Sequence, residues 1–363
     1  MGDRGKTLNG PVVRALAAVI AAGFVLGGCT TGPPPYQPPT TSPTSSASPA
    51  PGLAGVTATG GIGVRLVLQT SPPGVFDADT GALVPLKGAA GGQRLTSLLR
   101  VGTTPVLLDA PMCTATCEPW DVYVYADPGG SPRSLGKARS AAPGADRESL
   151  WLIREDGPES CRLQRVSLTG KAAGPGTPAS CRTFVRQESA RGLLITVNGD
   201  AAQSEDVLID PETGRTIYQF PRIMAIAGDR LLIGGLIDFT VLDLRDGTRK
   251  QLARPVPNGT ANALPSRDGR LAAVEFGDPA WQGSSVQTRD VWLLDLGTAA
   301  WRHVPSMPYA TAGGLKHTGL DWSDAGDLVL ADDVVGAWHP GEPAWRLGKA
   351  KPPAERGQTI VTL

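Results

Sequence analysis

The sequence lacks an excess of charge of either sign. Its 363 residues contain 34 lysines and arginines against 34 aspartates and glutamates, so the formal net charge is zero. A protein that binds DNA or RNA needs a basic surface to neutralise phosphates, and this composition offers no such surplus. We therefore expect no nucleic-acid partner.

Recognisable catalytic motifs are missing too. The chain has no Gly-x-Ser-x-Gly elbow, no Walker loop and no His-Glu-x-x-His. Its three histidines, His303, His317 and His339, do not have the spacing of paired metal ligands. We expect no catalytic residue that a motif identifies, no metal site and no cofactor.

Long apolar runs are absent as well, so no transmembrane helix is predicted. The longest run, residues 15–26, has about twelve residues, which is too short to span a bilayer. It follows Arg4, Lys6 and Arg14 and ends in Gly27-Gly28-Cys29. Basic residues followed by a short apolar run are typical of a signal peptide.

The thiol at the end of this run makes the segment resemble a bacterial lipoprotein signal. The resemblance implies cleavage before Cys29 and a diacylglyceryl group, with palmitate-type acyl chains, on its sulfur. Two or three acyl chains are enough for stable anchoring. We expect a protein of the cell envelope that is lipid-anchored to the extracytoplasmic face of the cell membrane without crossing it.

The next segment is rich in proline, serine and threonine. Residues 30–51 read TTGPPPYQPPTTSPTSSASPAP, with almost no charge or bulky apolar group. Such a composition cannot bury enough surface to fold, and its prolines favour extended chain. The predicted organisation is a signal peptide over 1–28, a disordered tether over 29–56 and one folded domain over 57–363.

Four cysteines remain after lipidation: Cys113, Cys117, Cys161 and Cys181. An even number in an exported chain indicates disulfides. Three connectivities are open, and we favour Cys113–Cys117 with Cys161–Cys181 because each pair is local. A four-cysteine zinc site would need shorter spacing between the last two.

The domain repeats about every 43 residues and shows no sustained helical period. Seven apolar segments run into a polar turn that a glycine closes, where a positive φ is needed. The closing glycines are Gly81, Gly129, Gly170, Gly214, Gly247, Gly297 and Gly341. A spacing of 40–45 residues is that of the four-stranded blades of a β-propeller.

A second set of apolar strands alternates with these turns and is predicted to form the inner, buried strands. The set comprises Leu150 to Leu152, Leu193 to Ile195, Leu231 to Ile233, Leu271 to Val274 and Leu328 to Leu330. The stretches PSRDGRLAAV (265–274) and DWSDAGDLVL (321–330) resemble the Ser-Pro-Asp-Gly strand entry of TolB-type and WD-like β-propellers. They depart from it at Arg267 and Asp324, where that family usually has proline, and at Ala325. The resemblance implies a fold and no activity.

We therefore predict an all-β, seven-bladed propeller, with six or eight blades as alternatives and two β-sandwiches as the other fold. The last strand, TIVTL (359–363), matches the first, VRLVLQ (64–69), and pairing them would close the ring. Closure leaves no sheet edge open to aggregation.

Candidate functional residues are few. Four carboxylate groups are interpreted chiefly as solvated or turn residues: Glu155–Asp156, Glu205–Asp206, Asp321 with Asp324 and Asp327, and Asp332–Asp333. Trp281, in a Gly/Ser-rich insertion, is a candidate ligand contact. The favoured function is a non-catalytic binding or scaffolding module for an envelope protein or glycan. The alternative is a lipid-anchored propeller enzyme that acts on cell-wall or extracellular carbohydrate with channel-facing carboxylates.

Overall fold

A computed structural model describes residues 61–89, 94–111, 119–157, 159–197, 204–235, 237–256, 261–277, 289–305, 319–331, 334–353 and 360–363. All regular elements in these ranges are β-strands, which confirms the predicted all-β class. Over the same ranges there is no helix of the length and apolar character that a membrane crossing requires. The predicted signal peptide and tether lie outside the described residues.

In chain order the strands are β1 (Arg65–Leu68), β2 (Gly74–Asp77), β3 (Leu83–Pro85), β4 (Arg94–Val101), β5 (Thr104–Pro111), β6 (Trp120–Val124), β7 (Arg133–Ala138), β8 (Ser140–Pro143), β9 (Ser149–Glu155), β10 (Cys161–Ser167), β11 (Thr177–Ala179), β12 (Phe184–Ser189), β13 (Gly192–Val197), β14 (Glu205–Ile209), β15 (Thr216–Phe220), β16 (Ile223–Ala227), β17 (Arg230–Gly234), β18 (Asp238–Asp243), β19 (Arg249–Ala253), β20 (Ala261–Pro265), β21 (Leu271–Gly277), β22 (Arg289–Asp295), β23 (Ala300–His303), β24 (Gly319–Trp322), β25 (Leu328–Ala331), β26 (Val335–Trp338), β27 (Arg346–Leu347) and β28 (Ile360–Thr362).

These strands form seven antiparallel four-stranded sheets, which we number as blades I to VII along the chain. From the inside outward, blade I is β28-β1-β2-β3, and the others are β4 to β7, β8 to β11, β12 to β15, β16 to β19, β20 to β23 and β24 to β27. In six of the seven pairs of neighbouring blades the first strands contact one another, so these strands surround a common axis. The domain is a seven-bladed β-propeller, as the sequence period predicts.

The last strand closes the ring. β28 pairs with β1 in antiparallel register, with Leu66 opposite Thr362, Val67 opposite Val361 and Leu68 opposite Ile360. This is the predicted pairing of the two ends of the domain. Blade I therefore takes its innermost strand from the C-terminus and its other three from the N-terminal end, which ties the first blade to the last.

The seven predicted polar turns all follow the third strand of a blade, and five of the seven closing glycines have positive φ. Gly247 has φ 76° and donates its N–H to the Asp243 carbonyl at 2.9 Å. In blade VI the prediction misses by two residues, because Ala299 rather than Gly297 has the left-handed φ, of 59°. Ala299 makes the equivalent bond to the Asp295 carbonyl at 2.7 Å. The hydrogen bond therefore selects the conformation even without glycine.

The second predicted set of strands corresponds to β9, β13, β17, β21 and β25. They are buried, as expected, but they are the second strands of their blades and not the innermost ones. The prediction that they are inner strands is wrong in this respect. A second strand is covered by neighbouring blades on both faces, so it is continuously apolar, whereas the innermost strand borders the axis and tolerates charge.

Aromatic side chains fill the spaces between blades. Phe239 of blade V packs against Phe276 and Trp301 of blade VI, with ring centroids 6.0 and 5.6 Å apart. Trp322 of blade VII is 1% exposed and donates its indole N–H to the Leu264 carbonyl of blade VI at 3.0 Å. Each fully buried ring of this size contributes about 1.5–3 kcal/mol. The tryptophans therefore help to fix one blade on the next.

One predicted disulfide is present. Cys161 in β10 bonds Cys181, which follows β11, with a Cα–Cα distance of 5.0 Å. The bond joins the third strand of blade III to the segment that leads into blade IV. Cys113 and Cys117 lie outside the described residues, so their predicted pairing stays a prediction.

Candidate ligand-binding site at the mouth of the propeller

One end of the axis opens into a cavity of about 470 Å³, which we call the mouth cavity. Six of the seven innermost strands contribute to its wall, through Arg100, Pro143, Glu188, Ala227, Leu264 and Asp321. Turns that connect first to second strands complete it, and they carry Arg147 and Arg267. Pockets of this size hold small molecules, and they commonly form where several elements meet.

The turn between β20 and β21 is built by Ser266. Its hydroxyl accepts the Leu271 N–H at 2.9 Å and donates to an Asp268 carboxylate oxygen at 2.6 Å. This serine bond lowers the pKa of Asp268, so that carboxylate is an anion at neutral pH. The turn is therefore fixed by its own polar groups and holds the residue at 267 in a defined position.

Arg267 joins blade VI to blade VII across the edge of the cavity. Its Nη2 donates to both carboxylate oxygens of Asp321, at 3.1 and 3.0 Å, and its Nε donates to the Trp322 carbonyl at 3.0 Å. Asp321 also accepts the N–H of Thr362 at 2.8 Å and its hydroxyl at 2.9 Å. Asp321 thus links Arg267 to the strand that closes the ring.

Asp324 occupies the corresponding turn of blade VII and binds two arginines from other blades. One of its carboxylate oxygens accepts two hydrogen bonds, one from Nη2 of Arg100 at 2.8 Å and one from Nη2 of Arg147. Arg100 is the second-last residue of the innermost strand of blade II, and Arg147 lies in the first turn of blade III. These bonds cross the point at which the ring closes, so the two departures from the propeller motif, Arg267 and Asp324, build this side of the mouth.

Arg147 adopts a conformation that arginine normally avoids. Its φ is 62°, and it donates its N–H to the Gly144 carbonyl at 3.1 Å. In the turn of blade VI the same bond, to Ser266, is made by Gly269, with φ 68°. A left-handed conformation costs a residue with a Cβ about 1–2 kcal/mol. An arginine thus stands where the neighbouring turn has glycine, and its side chain points across the mouth to Asp324.

Arg100 is buried with a donor left over. Its side chain is 2% exposed, and burial, with the nearby Arg267 cation, lowers the pKa of its guanidinium. Arginine nevertheless stays charged, because its ordinary pKa is above 12. Its Nη1 has no hydrogen-bond partner among the described residues. Burying such a donor without a hydrogen-bond partner costs about 1–3 kcal/mol, and more for a charged group.

The carboxylates around the mouth are all engaged. Asp321 and Asp324 hold the arginines described above, and Glu188 accepts the Ala145 N–H at 2.6 Å and lies 3.5 Å from Arg165. Asp268 accepts the Ser266 hydroxyl and the Arg270 N–H. Each of these carboxylates therefore already accepts hydrogen bonds or pairs with an arginine.

A second cavity, of about 400 Å³, lies at the opposite ends of three innermost strands. Arg186 of β12 lines both cavities. Its guanidinium binds Asp206 at 2.9 Å and the Ile223 carbonyl at 2.6 Å. The Asp206 carboxylate also accepts the Ile223 N–H at 2.7 Å. Arg186 is therefore fixed in place between the two cavities.

The remaining candidate residues do not converge on the mouth. Glu155 pairs with Arg139 and Asp156 with Arg162. Asp327 binds His339 Nδ1 at 2.9 Å and Arg346 at 2.8 Å. His303 packs on the Trp292 ring with centroids 4.7 Å apart. Across the described part of the chain, no three His, Cys, Asp or Glu side chains form a metal-binding group. Cys29, Trp281, His317, Asp332 and Asp333 lie outside the described residues.

Two residues at the mouth, Asp321 and Asp324, are among the candidates from the sequence, where they are interpreted chiefly as turn residues. Arg100 and Arg147 are not among those candidates. The two departures from the propeller motif, Arg267 and Asp324, are the signal that could have identified the site. Proline suits the second position of such a turn, so a charged residue at that position indicates a partner outside the turn.

Comparison with solved structures identifies relatives in shape. A candidate 6-phosphogluconolactonase from Bacteroides fragilis is 11% identical, with a TM-score of 0.51 over 83% of this chain and 98% of that chain. One from Bacteroides uniformis is 13% identical, with a TM-score of 0.51 over 83% and 100%. The periplasmic gluconolactonase of Pseudomonas aeruginosa is 16% identical, with a TM-score of 0.48 over 82% and 99%. At 11–13% identity, the two likenesses with a TM-score of 0.51 extend to the fold alone. No protein-family model and no curated protein matches the chain.

Proposed function

We propose that this protein is an envelope lipoprotein, anchored through Cys29 on the extracytoplasmic face of the cell membrane, whose propeller is a non-catalytic binding module. The lipoprotein-type signal and the Pro/Ser/Thr-rich segment after it support the anchoring. The Cys161–Cys181 bond supports export, because structural disulfides form and persist mainly in oxidising compartments. The ligand is part of an envelope protein or glycan, and it binds at the mouth cavity.

The state of the mouth carboxylates carries the choice of binding over catalysis. Hydrolysis of a glycosidic bond by paired carboxylates needs one that holds a proton and one that is free to act as base or nucleophile. Asp321 and Asp324 are occupied by guanidinium groups, and hydrogen bonds lower the pKa of Asp268. A preformed cavity with such fixed charges suits recognition.

The alternative is a lipid-anchored propeller enzyme that acts on carbohydrate. The observation that favours it is the likeness in shape, at a TM-score of 0.51, to two candidate 6-phosphogluconolactonases. At 11–13% identity that likeness extends to the fold and not to the chemistry. The two candidate functions differ in what they require of Asp268, the exposed carboxylate of the mouth.

Crosslinking from intact cells tests the binding function. The full chain is compared with a membrane-anchored control of residues 1–55 and with Asp268→Asn. We expect a partner that the full chain and Asp268→Asn both capture and that the control does not. Turnover of wall or extracellular carbohydrate by the full chain, abolished in Asp268→Asn, would instead establish the enzyme.

The anchor is tested separately. Cys29→Ser should release the protein from membranes or leave its precursor uncut, because no other thiol is placed for lipidation. Membrane retention and processing identical to those of the wild type would contradict the lipoprotein assignment.

A further inference from the structure

The mouth cavity contains an unused, buried, positively charged donor. Arg100 lines the cavity, and its side chain is 2% exposed. Its Nη2 binds Asp324 at 2.8 Å, while Nη1 has no partner in the described part of the chain. Buried polar groups are nearly always paired, so an unpaired donor on a residue that lines the cavity is a candidate contact for a ligand.

The local charge balance shows which kind of ligand fits. Three guanidiniums, of Arg100, Arg147 and Arg267, share the two carboxylates of Asp321 and Asp324. The other carboxylates that line the cavity, Glu188 and Asp268, lie beside different arginines, Arg165 and Arg270. Within this cluster, therefore, one positive charge is left over. Asp321 already accepts hydrogen bonds from Arg267 and Thr362. A bound group with a single negative charge would balance the cluster.

Arg147 supplies accessible donors next to this orphan. Its side chain is 55% exposed and lines the cavity, and it shares the Asp324 oxygen with Arg100. Only one of its nitrogens is engaged in that contact. A guanidinium presents five N–H donors in a planar fork that matches a carboxylate.

We propose that the mouth cavity binds the carboxylate group of its ligand, with Arg100 Nη1 and the free donors of Arg147 as hydrogen-bond donors. This inference rests on the proposed binding function and names the group that the site recognises. The carboxylate belongs to an acidic sugar of an envelope glycan, for which a cavity of about 470 Å³ has room.

Ligand-observed NMR titration of the purified full chain tests the proposal with acetate as the probe for the bare group. Arg147→Gln should weaken acetate binding at least about tenfold, which is 1.4 kcal/mol. Arg245→Gln is the matched control, because Arg245 is 54% exposed and pairs with Asp243 as Arg147 pairs with Asp324. The control should bind acetate as the wild type does.

Arg100→Lys tests the orphan donor, since lysine keeps the charge near Asp324 and lacks the second guanidinium nitrogen. It should also weaken acetate binding about tenfold. If this variant does not fold, as judged by its thermal transition, Arg147→Gln carries the test alone because its side chain is half exposed.

Further probes distinguish the sources of the carboxylate and the competing anion. Galacturonate that binds more tightly than acetate, with galactose inert, would support an acidic sugar, and equal binding of the two acids would overturn it. Tighter Arg147-dependent binding of inorganic phosphate than of either acid would overturn the carboxylate assignment. So would the absence of acetate and galacturonate binding up to about 50 mM, well above the millimolar range.

The two proposals can fail independently. If Arg147→Gln still captures the crosslinked partner in cells but wild-type protein binds no carboxylate, only the carboxylate inference is wrong. If the wild type binds acetate through Arg147 but captures no partner beyond the 1–55 control, the envelope-partner function is wrong and the anion site stands.

Discussion

The left-handed backbone at Arg147 gives a stability prediction that separates backbone strain from side-chain contacts. Arg147→Ala and Arg147→Gly both remove the guanidinium and its bond to Asp324, so they differ only in the Cβ atom. A Cβ at φ 62° costs about 1–2 kcal/mol, and glycine costs about 0.5–1 kcal/mol in chain entropy. Arg147→Gly should therefore be more stable than Arg147→Ala by about 0.5–1 kcal/mol.

Urea unfolding of the purified full-length variants measures this difference directly. Ala145→Gly is the control, because Ala145 lies in the same exposed turn and does not have a positive φ. There the same change should destabilise the protein by about 0.5–1 kcal/mol. An Arg147→Gly variant that is no more stable than Arg147→Ala would refute the strain argument, and so would a stabilising Ala145→Gly. Acetate binding should be lost equally in both Arg147 variants.

Two further predictions concern the disulfide and the turn aspartates. Replacing Cys161 and Cys181 together by alanine should lower the free energy of unfolding by about 3 kcal/mol, because the bond closes a separation of 20 residues; an unchanged urea midpoint would contradict this. Turn hydrogen bonds lower the pKa of Asp77, chiefly through the Thr80 N–H, and of Asp210, chiefly through the Thr213 hydroxyl. The stability these carboxylates contribute should be complete above about pH 5 and lost as the pH falls below about 4, and Asp77→Asn should flatten the dependence of the urea midpoint on pH in that range.

The repeat could be predicted because the same local residue pattern recurs in each blade. Each blade needs a polar turn after its third strand, and the Asp243 to Gly247 turn shows the aspartate and glycine that such a turn selects. The second strands are continuously apolar because both of their faces are covered. Strand pairing at the ring closure was predictable because TIVTL matches the first strand in character.

The innermost strands share no such signal. They border the axis, where β16 is apolar throughout but β4 carries Arg100 and β8 carries Pro143, so no one pattern identifies them. For this reason the second strands were mistaken for the inner ones. In blade VI the left-handed residue is Ala299 and not the predicted Gly297, for a related reason. A backbone hydrogen bond imposes this conformation on an alanine, which does not favour it.

By itself the sequence determined the β class and the period, because both follow from a locally repeated pattern. It also favoured seven blades, closure by the last strand and the Cys161–Cys181 bond, with alternatives left open for the blade number and the cysteine pairing. Only the tertiary structure decided which residues meet at the mouth cavity. Arg147 and Asp324 are 177 residues apart, and closure of a seven-bladed ring brings them together. No local pattern records such a contact, because the partner of each charge is set by the curvature of the ring and not by its neighbours along the chain.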